Sequence, residues 1–88
     1  MRLIEWEVAE DGYEEQIVIP KEKRDLASEE GINTENEQKV TVKITNVNSG
    51  ESYTGRLAIT GNRQLYLPTE IQQMLNGSKK LRIQILGG

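Results

Sequence analysis

The 88-residue sequence contains no cysteine and no histidine, and both absences narrow the chemistry open to it. Without cysteine there are no disulfides, no thiolate metal ligands and no thiol nucleophile. Without histidine the commonest metal ligand is missing, as is the side chain whose unperturbed pKa lies nearest neutral pH. The composition therefore argues against ordinary metal-dependent or Ser-His catalysis. We expect a protein that is not an enzyme and that uses no metal and no cofactor.

Long apolar runs are also missing. No segment approaches the length needed to cross a bilayer, and the first residues alternate where a signal peptide would be continuously apolar. We therefore expect a cytoplasmic protein with no membrane partner. The formal net charge is −3, so no global basic field marks a nucleic-acid protein, although a local patch can still bind phosphate. The length is suited to one modest core and predicts a single domain over residues 1–88.

The most informative feature present is a short phrase that occurs twice. Residues 16–22 read QIVIPKE and residues 64–70 read QLYLPTE, and both are typical of a strand that runs into proline and then into a helix. Each copy is followed by a helical pattern, a break that contains glycine, and an alternating strand. The sequence thus predicts an internal pseudo-two-fold repeat, with units around residues 16–44 and 64–86.

Periodicity and turn residues predict the order strand, strand, helix, three strands, helix, strand. We expect the first two strands to form a hairpin, and the first helix to cover residues 21–30 and to end at Gly31. The polar connection over residues 33–38 is expected to be mobile. A longer hairpin is expected around residues 48–50, and a tight connection at Gly61 and Asn62. The fold class is mainly β (β+α), a small pseudobarrel of about six to seven strands with two short helices.

The Ile-Pro-Lys-Glu sequence at residues 19–22 resembles the signature of AbrB-type bacterial regulators. In that family a strand-proline-helix unit from each of two subunits intertwines into a DNA-binding barrel, whereas here both units lie in one chain. The element order is more similar to the plant B-three domain and to the DNA-recognition domains of some restriction enzymes. The resemblance covers nearly the whole chain as a pattern, but its motif is only a few residues long. It implies double-stranded DNA as the partner, in transcription regulation or in a restriction-modification or defence system.

In those pseudobarrels two arms grip the DNA, and the second arm precedes the second strand-proline unit. Carried onto this sequence, the second arm is residues 60–64, where Arg63 could pair with guanine or phosphate. Each good bidentate contact to a base contributes about 1–3 kcal/mol of discrimination. Neighbouring strands supply further cations that could hold phosphates. The DNA-binding residues that the resemblance implies are Lys43, Arg56, Thr60, Asn62, Arg63 and Gln64.

The first arm departs from that pattern, because Glu10, Asp11, Glu14 and Glu15 would bring four negative charges towards phosphate. A protein-interaction domain whose acidic hairpin faces a basic partner therefore stays open, with a larger protein or a second copy as that partner. A third possibility is a ubiquitin-like modifier or sulfur carrier, because the last two residues are a diglycine.

The simplest interpretation of the basic residues is that they lie on strand faces exposed to solvent, where ion pairs contribute little to stability. Residues 21–24 in particular are interpreted as a solvated surface, because cations at a helix N-terminus oppose its dipole. Trp6 is expected in the core, and Tyr66 could be exposed beside the second arm.

Overall fold

The structure is a computed structural model that describes residues 3–9, 16–75 and 80–88. Within these ranges the chain forms six strands and two α-helices in the predicted order. Neither of these helices is long and apolar enough to cross a membrane. The elements are β1 (Ile4–Ala9), β2 (Gln16–Val18), α1 (Lys21–Glu29), β3 (Lys39–Asn46), β4 (Ser52–Thr60), β5 (Gln64–Tyr66), α2 (Thr69–Leu75) and β6 (Lys80–Gly87).

The strands form one antiparallel sheet in the spatial order β1-β6-β3-β4-β5-β2. The sheet curls into a nearly closed barrel. Curling lets a sheet of short strands enclose an apolar core and shortens the unpaired edges that it would otherwise expose. The predicted fold class, a mainly β pseudobarrel with two short helices, is confirmed.

The pseudo-two-fold relation is visible in the register of the strand pairs. Ile17 and Leu65 occupy the same place in the repeated phrase, and they are directly opposite each other where β2 pairs with β5. Lys43 and Gln84 likewise occupy equivalent places in the final strands of the two repeats, and they face each other where β3 pairs with β6. A two-fold rotation that exchanges the repeats therefore maps each of these pairs onto itself.

Both helices begin in the same way after proline. The carbonyl groups of Pro20 and Pro68 each accept hydrogen bonds from the amides three and four residues later, at distances between 2.9 and 3.0 Å. Proline has no amide hydrogen to leave unsatisfied at this position, and its fixed φ suits the entry into a helix. The first helix is followed by Gly31 with φ 78°, the left-handed conformation predicted there.

A side-chain hydrogen bond is also repeated in the two halves. The Nε of Arg24 donates to the carbonyl of Ile19 at 3.2 Å. At the equivalent position of the second repeat, the Nε2 of Gln72 donates to the carbonyl of Leu67 at 2.6 Å. Each bond joins the first turn of a helix to the end of the preceding strand, so it fixes the angle between them.

Buried aliphatic side chains fill the barrel, and alternation along the strands decides which residues belong to this core. In β3, for example, Val40, Val42 and Ile44 are fully buried while the residues between them lie on the outer face. The largest fully buried side chains are Ile4, Ile17, Ile19, Ile44, Ile59, Leu65, Leu67, Leu81, Ile83, Val40 and Val42. Alternation therefore also determines which polar side chains share the outer surface.

Two local expectations need qualification. The first two strands were expected to pair as a hairpin, but in the described residues β1 pairs with β6 and β2 pairs with β5. The connection between them, residues 10–15, lies outside the described residues.

The connection over residues 33–38 was expected to be mobile, yet it is bonded to β4. The Glu37 amide donates to the Ile59 carbonyl at 2.7 Å, and the Ile59 amide donates to the Gln38 carbonyl at 2.7 Å.

Candidate nucleic-acid interface and an adjoining groove

The outer face of β3 and β4 carries three basic side chains, Lys39, Lys43 and Arg56, which we call the basic strip. Arg56 lies opposite Thr41, the residue midway between the two lysines. A strand rises about 3.3 Å per residue, so the lysine Cα atoms are about 13 Å apart. Lys39 and Arg56 are exposed and Lys43 is partly buried. The three cations thus form a triangle on one surface.

The basic strip is not neutralised by its neighbours. Within residues 3–9, 16–75 and 80–88, none of its three side chains forms an ion pair. The other outward positions of β3 and β4 are threonine, serine or alanine, so no acidic side chain shares this face. A positive local field and several hydroxyl groups therefore occur together on a protein of net charge −3.

The outer face of β1 and β6 is different. Arg82 contacts two carboxylates there, through Nη2 to Glu7 Oε2 at 3.2 Å and through Nε to Glu5 Oε1 at 3.8 Å. Lys80 Nζ lies 3.6 Å from Glu7 Oε1, and Gln84 Nε2 donates to Glu5 Oε1 at 3.0 Å. The outer surface of the sheet therefore has one half with ion pairs and another half whose basic side chains form no ion pair with the described residues.

The turn between β4 and β5, Gly61–Arg63, corresponds to the second arm of the sequence interpretation. Asn62 and Arg63 both have left-handed backbones, with φ values of 64° and 54°. The Arg63 amide donates to Asn36 Oδ1 at 3.0 Å, and Arg63 Nη2 lies 3.2 Å from Glu35 Oε2. The turn is thus attached to the connection that precedes β3.

The six residues implied by the resemblance fall into two groups. Lys43 and Arg56 lie in the basic strip, and Thr60 lies at the end of the same face of β4. Asn62 is exposed at the turn, while the side chain of Arg63 is engaged by Glu35. Gln64 is partly buried in β5, where its carbonyl accepts a hydrogen bond from the Thr60 hydroxyl at 3.2 Å.

One member of the basic strip was missed by the sequence interpretation. Lys39 precedes Lys43 by four residues in the same strand, so the two must share a face. The even spacing of the two lysines was the available signal, but Lys39 is the first residue of the strand, and strand boundaries are hard to predict.

A groove of about 410 Å³ adjoins the turn, between α1, the connection that follows it and Arg63. Its charged lining residues are Arg24, Asp25, Glu35 and Arg63, and Ser28 and Thr34 add hydroxyl groups. Residues 21–24 were interpreted as a solvated surface, but Arg24 is partly buried and bonded to the main chain. The groove was not anticipated, because it depends on contacts between residues distant in the sequence.

The structure also shows where other residues considered in the sequence lie. Trp6 packs partly buried against the core, and Tyr66 is 39% exposed. Gly87 is paired with Thr41 in the last strand. Among the described residues no cluster of three or more acidic side chains is placed to hold a metal ion. The acidic residues 10–15 lie outside the described part.

No protein-family model matches the chain, and no curated protein matches it. Among solved structures, the chain is similar to the solution structure of PHS018 from Pyrococcus horikoshii, with a TM-score of 0.66. The sequence identity is 19%, and the alignment covers 99% of this chain and 94% of that chain. At this identity the similarity shows the fold alone.

Proposed function

We propose that the protein is a non-catalytic binding module for double-stranded DNA and that the basic strip contacts the phosphate backbone. The observation that carries this proposal is the presence of three cations on one face, unpaired within the described residues. Lysine, arginine and hydroxyl side chains supply most protein contacts to DNA phosphates, and all three kinds occur on this surface.

The shape of the element supports the same proposal. β3 and β4 are neighbouring antiparallel strands of 8 and 9 residues, so their outward side chains form one continuous strip on the surface of the sheet. The Cα atoms of Lys39 and Lys43 are about 13 Å apart, close to the width of about 12 Å of the DNA major groove. Lys39 and Lys43 can therefore reach phosphates on opposite walls, with Arg56 between them.

Affinity and specificity would come from different parts of this surface. Phosphate contacts by the basic strip are independent of sequence, whereas the amide of Asn62 at the adjacent turn can approach base edges. Transcription regulation, or target recognition in a restriction or defence system, is the cellular role we propose for such a module.

Fluorescence anisotropy with a labelled duplex tests the proposal through two double variants that remove equal charge. K43Q/R56Q alters the basic strip, whereas K21Q/K23Q alters α1. We expect K43Q/R56Q to weaken binding at least about tenfold more than K21Q/K23Q does. For the unaltered protein, three phosphate contacts predict a slope of about −3 in log K against log salt.

Two outcomes would contradict the proposal. One is the absence of duplex binding even at low salt. The other is an equal loss in both double variants, because net charge rather than a particular surface would then control binding. Binding to a basic protein that is lost on neutralising Glu14 and Glu15 would instead favour the interaction-domain alternative.

A further inference from the structure

The groove beside the turn brings two arginines together through a single residue. The amide of Ile19 donates to the carbonyl of Arg63 at 3.3 Å, and the carbonyl of Ile19 accepts from Arg24 Nε at 3.2 Å. Both arginines line the groove, whose volume of about 410 Å³ lies within the range of small-molecule sites. The main chain of Ile19 therefore contacts both residues, through the backbone of Arg63 and the side chain of Arg24.

The groove also contains hydrogen-bond donors that have no partner in the described part of the chain. The terminal amino groups of Arg24 make no hydrogen bond within the described residues. Thr34 is only 8% exposed, and its hydroxyl has no partner among these residues, yet it is not sealed from solvent. Because the Thr34 hydroxyl is open to the groove and not used by the described residues, it is available to donate to a ligand there.

The other repeat has no cation at the two equivalent positions. The positions equivalent to Arg24 and Arg63 in the other repeat are Gln72 and Glu15. Gln72 makes the same hydrogen bond to a carbonyl without any charge. The positive charge of Arg24 is therefore not required for this hydrogen bond.

The part of the chain that completes the groove is longer than its counterpart in the other repeat. Equivalent residues are 48 positions apart at Pro20 and Pro68 but 41 apart at Lys43 and Gln84, so the first helix and the connection after it are together seven residues longer. Thr34 and Glu35 belong to this connection. The groove therefore includes residues for which the shorter second repeat has no counterpart in its sequence.

We propose that the groove binds a small molecule through a phosphate group, which accepts hydrogen bonds from Arg24, Arg63 and Thr34. A phosphate offers several acceptor oxygens, and guanidinium groups match their geometry in paired hydrogen bonds. Glu35 now holds Arg63 at 3.2 Å, so the ligand phosphate takes the place of that carboxylate. The basic strip is not part of this site, so the proposal does not depend on DNA binding, although Arg63 belongs to the turn that borders both surfaces.

The test is an amide NMR titration of the full chain with inorganic phosphate, at an ionic strength held constant with sodium chloride. We expect saturable shifts at Arg63 and along residues 24–35. R24Q should weaken phosphate binding about tenfold, because it removes a charged donor while keeping the hydrogen bond that Gln72 demonstrates. E35Q should strengthen binding about threefold, because it removes the competing negative charge.

T34V provides a second variant, since it removes the hydroxyl with little change in shape and should weaken binding about threefold. K21Q/K23Q, which removes two charges of the same helix outside the groove lining, should leave phosphate binding little changed. The proposal is overturned if the unaltered protein shows no saturable shifts at the groove. It is also overturned if both R24Q and T34V bind phosphate as the unaltered protein does.

Discussion

At the scale of single residues, Arg63 combines an unfavourable backbone with several specific contacts. Its φ of 54° lies in the left-handed region, which costs a residue with a side chain roughly 1–2 kcal/mol. The contacts to Asn36, Glu35 and Ile19 hold it there. Glycine would adopt this conformation more easily, so an arginine here is consistent with a functional side chain.

This backbone conformation gives a prediction about stability. Alanine normally stabilises a chain relative to glycine, but at a positive φ the order reverses. We therefore expect R63G to unfold at a higher urea concentration than R63A, with a difference in unfolding free energy of about 1 kcal/mol. Arg56 is the control, because it lies in a regular strand. At that position we expect R56A to be more stable than R56G. An R63A variant at least as stable as R63G would contradict the account.

Single residues also show where sequence reasoning stops. Lys43 and Arg56 could be placed on an outer face because alternation along a strand is local information. The ion pair between Arg63 and Glu35 joins residues 28 positions apart, so no local sequence pattern predicts it. Comparison of the two repeats was the signal that could have exposed the groove, since only one repeat has arginine at both equivalent positions.

At the scale of elements, the strand-proline-helix units were predictable because their signals are contiguous. Alternation marks the strand, proline marks the helix start and glycine marks the end of the first helix. The partners of β1 and β2 were harder to predict, because strand pairing across a barrel depends on closure of the whole sheet. β1 pairs with β6, the last strand of the chain.

The pair Ile17 and Leu65 tests the repeat at this scale. Both side chains are fully buried and face each other on the pseudo-two-fold axis. I17A and L65A should therefore each lower the unfolding free energy by about 2–5 kcal/mol, through lost burial and a residual cavity. V18A, in the same strand but with its side chain 53% exposed, is the control and should cost much less. Urea unfolding in which V18A costs as much as I17A would be inconsistent with this register.

At the scale of the whole molecule, the distribution of charge matters more than its sum. The net charge of −3 argues against nucleic acid when considered alone. The fold, however, places Lys39, Lys43 and Arg56 on one half of the outer surface, and pairs Arg82 with glutamates on the other half. Because the field near a surface is screened within about 10 Å at 0.1 M salt, a ligand at the basic strip responds mainly to nearby charges.

The most direct test of this account is an amide NMR titration of the protein with a short DNA duplex at low salt. We expect the largest shifts along β3 and β4 and at Gly61–Arg63, decreasing as salt is added, with β1 and the first half of β6 little affected. Shifts absent at low salt, or concentrated on β1 and β6, would contradict the assignment of the basic strip as the DNA-binding surface.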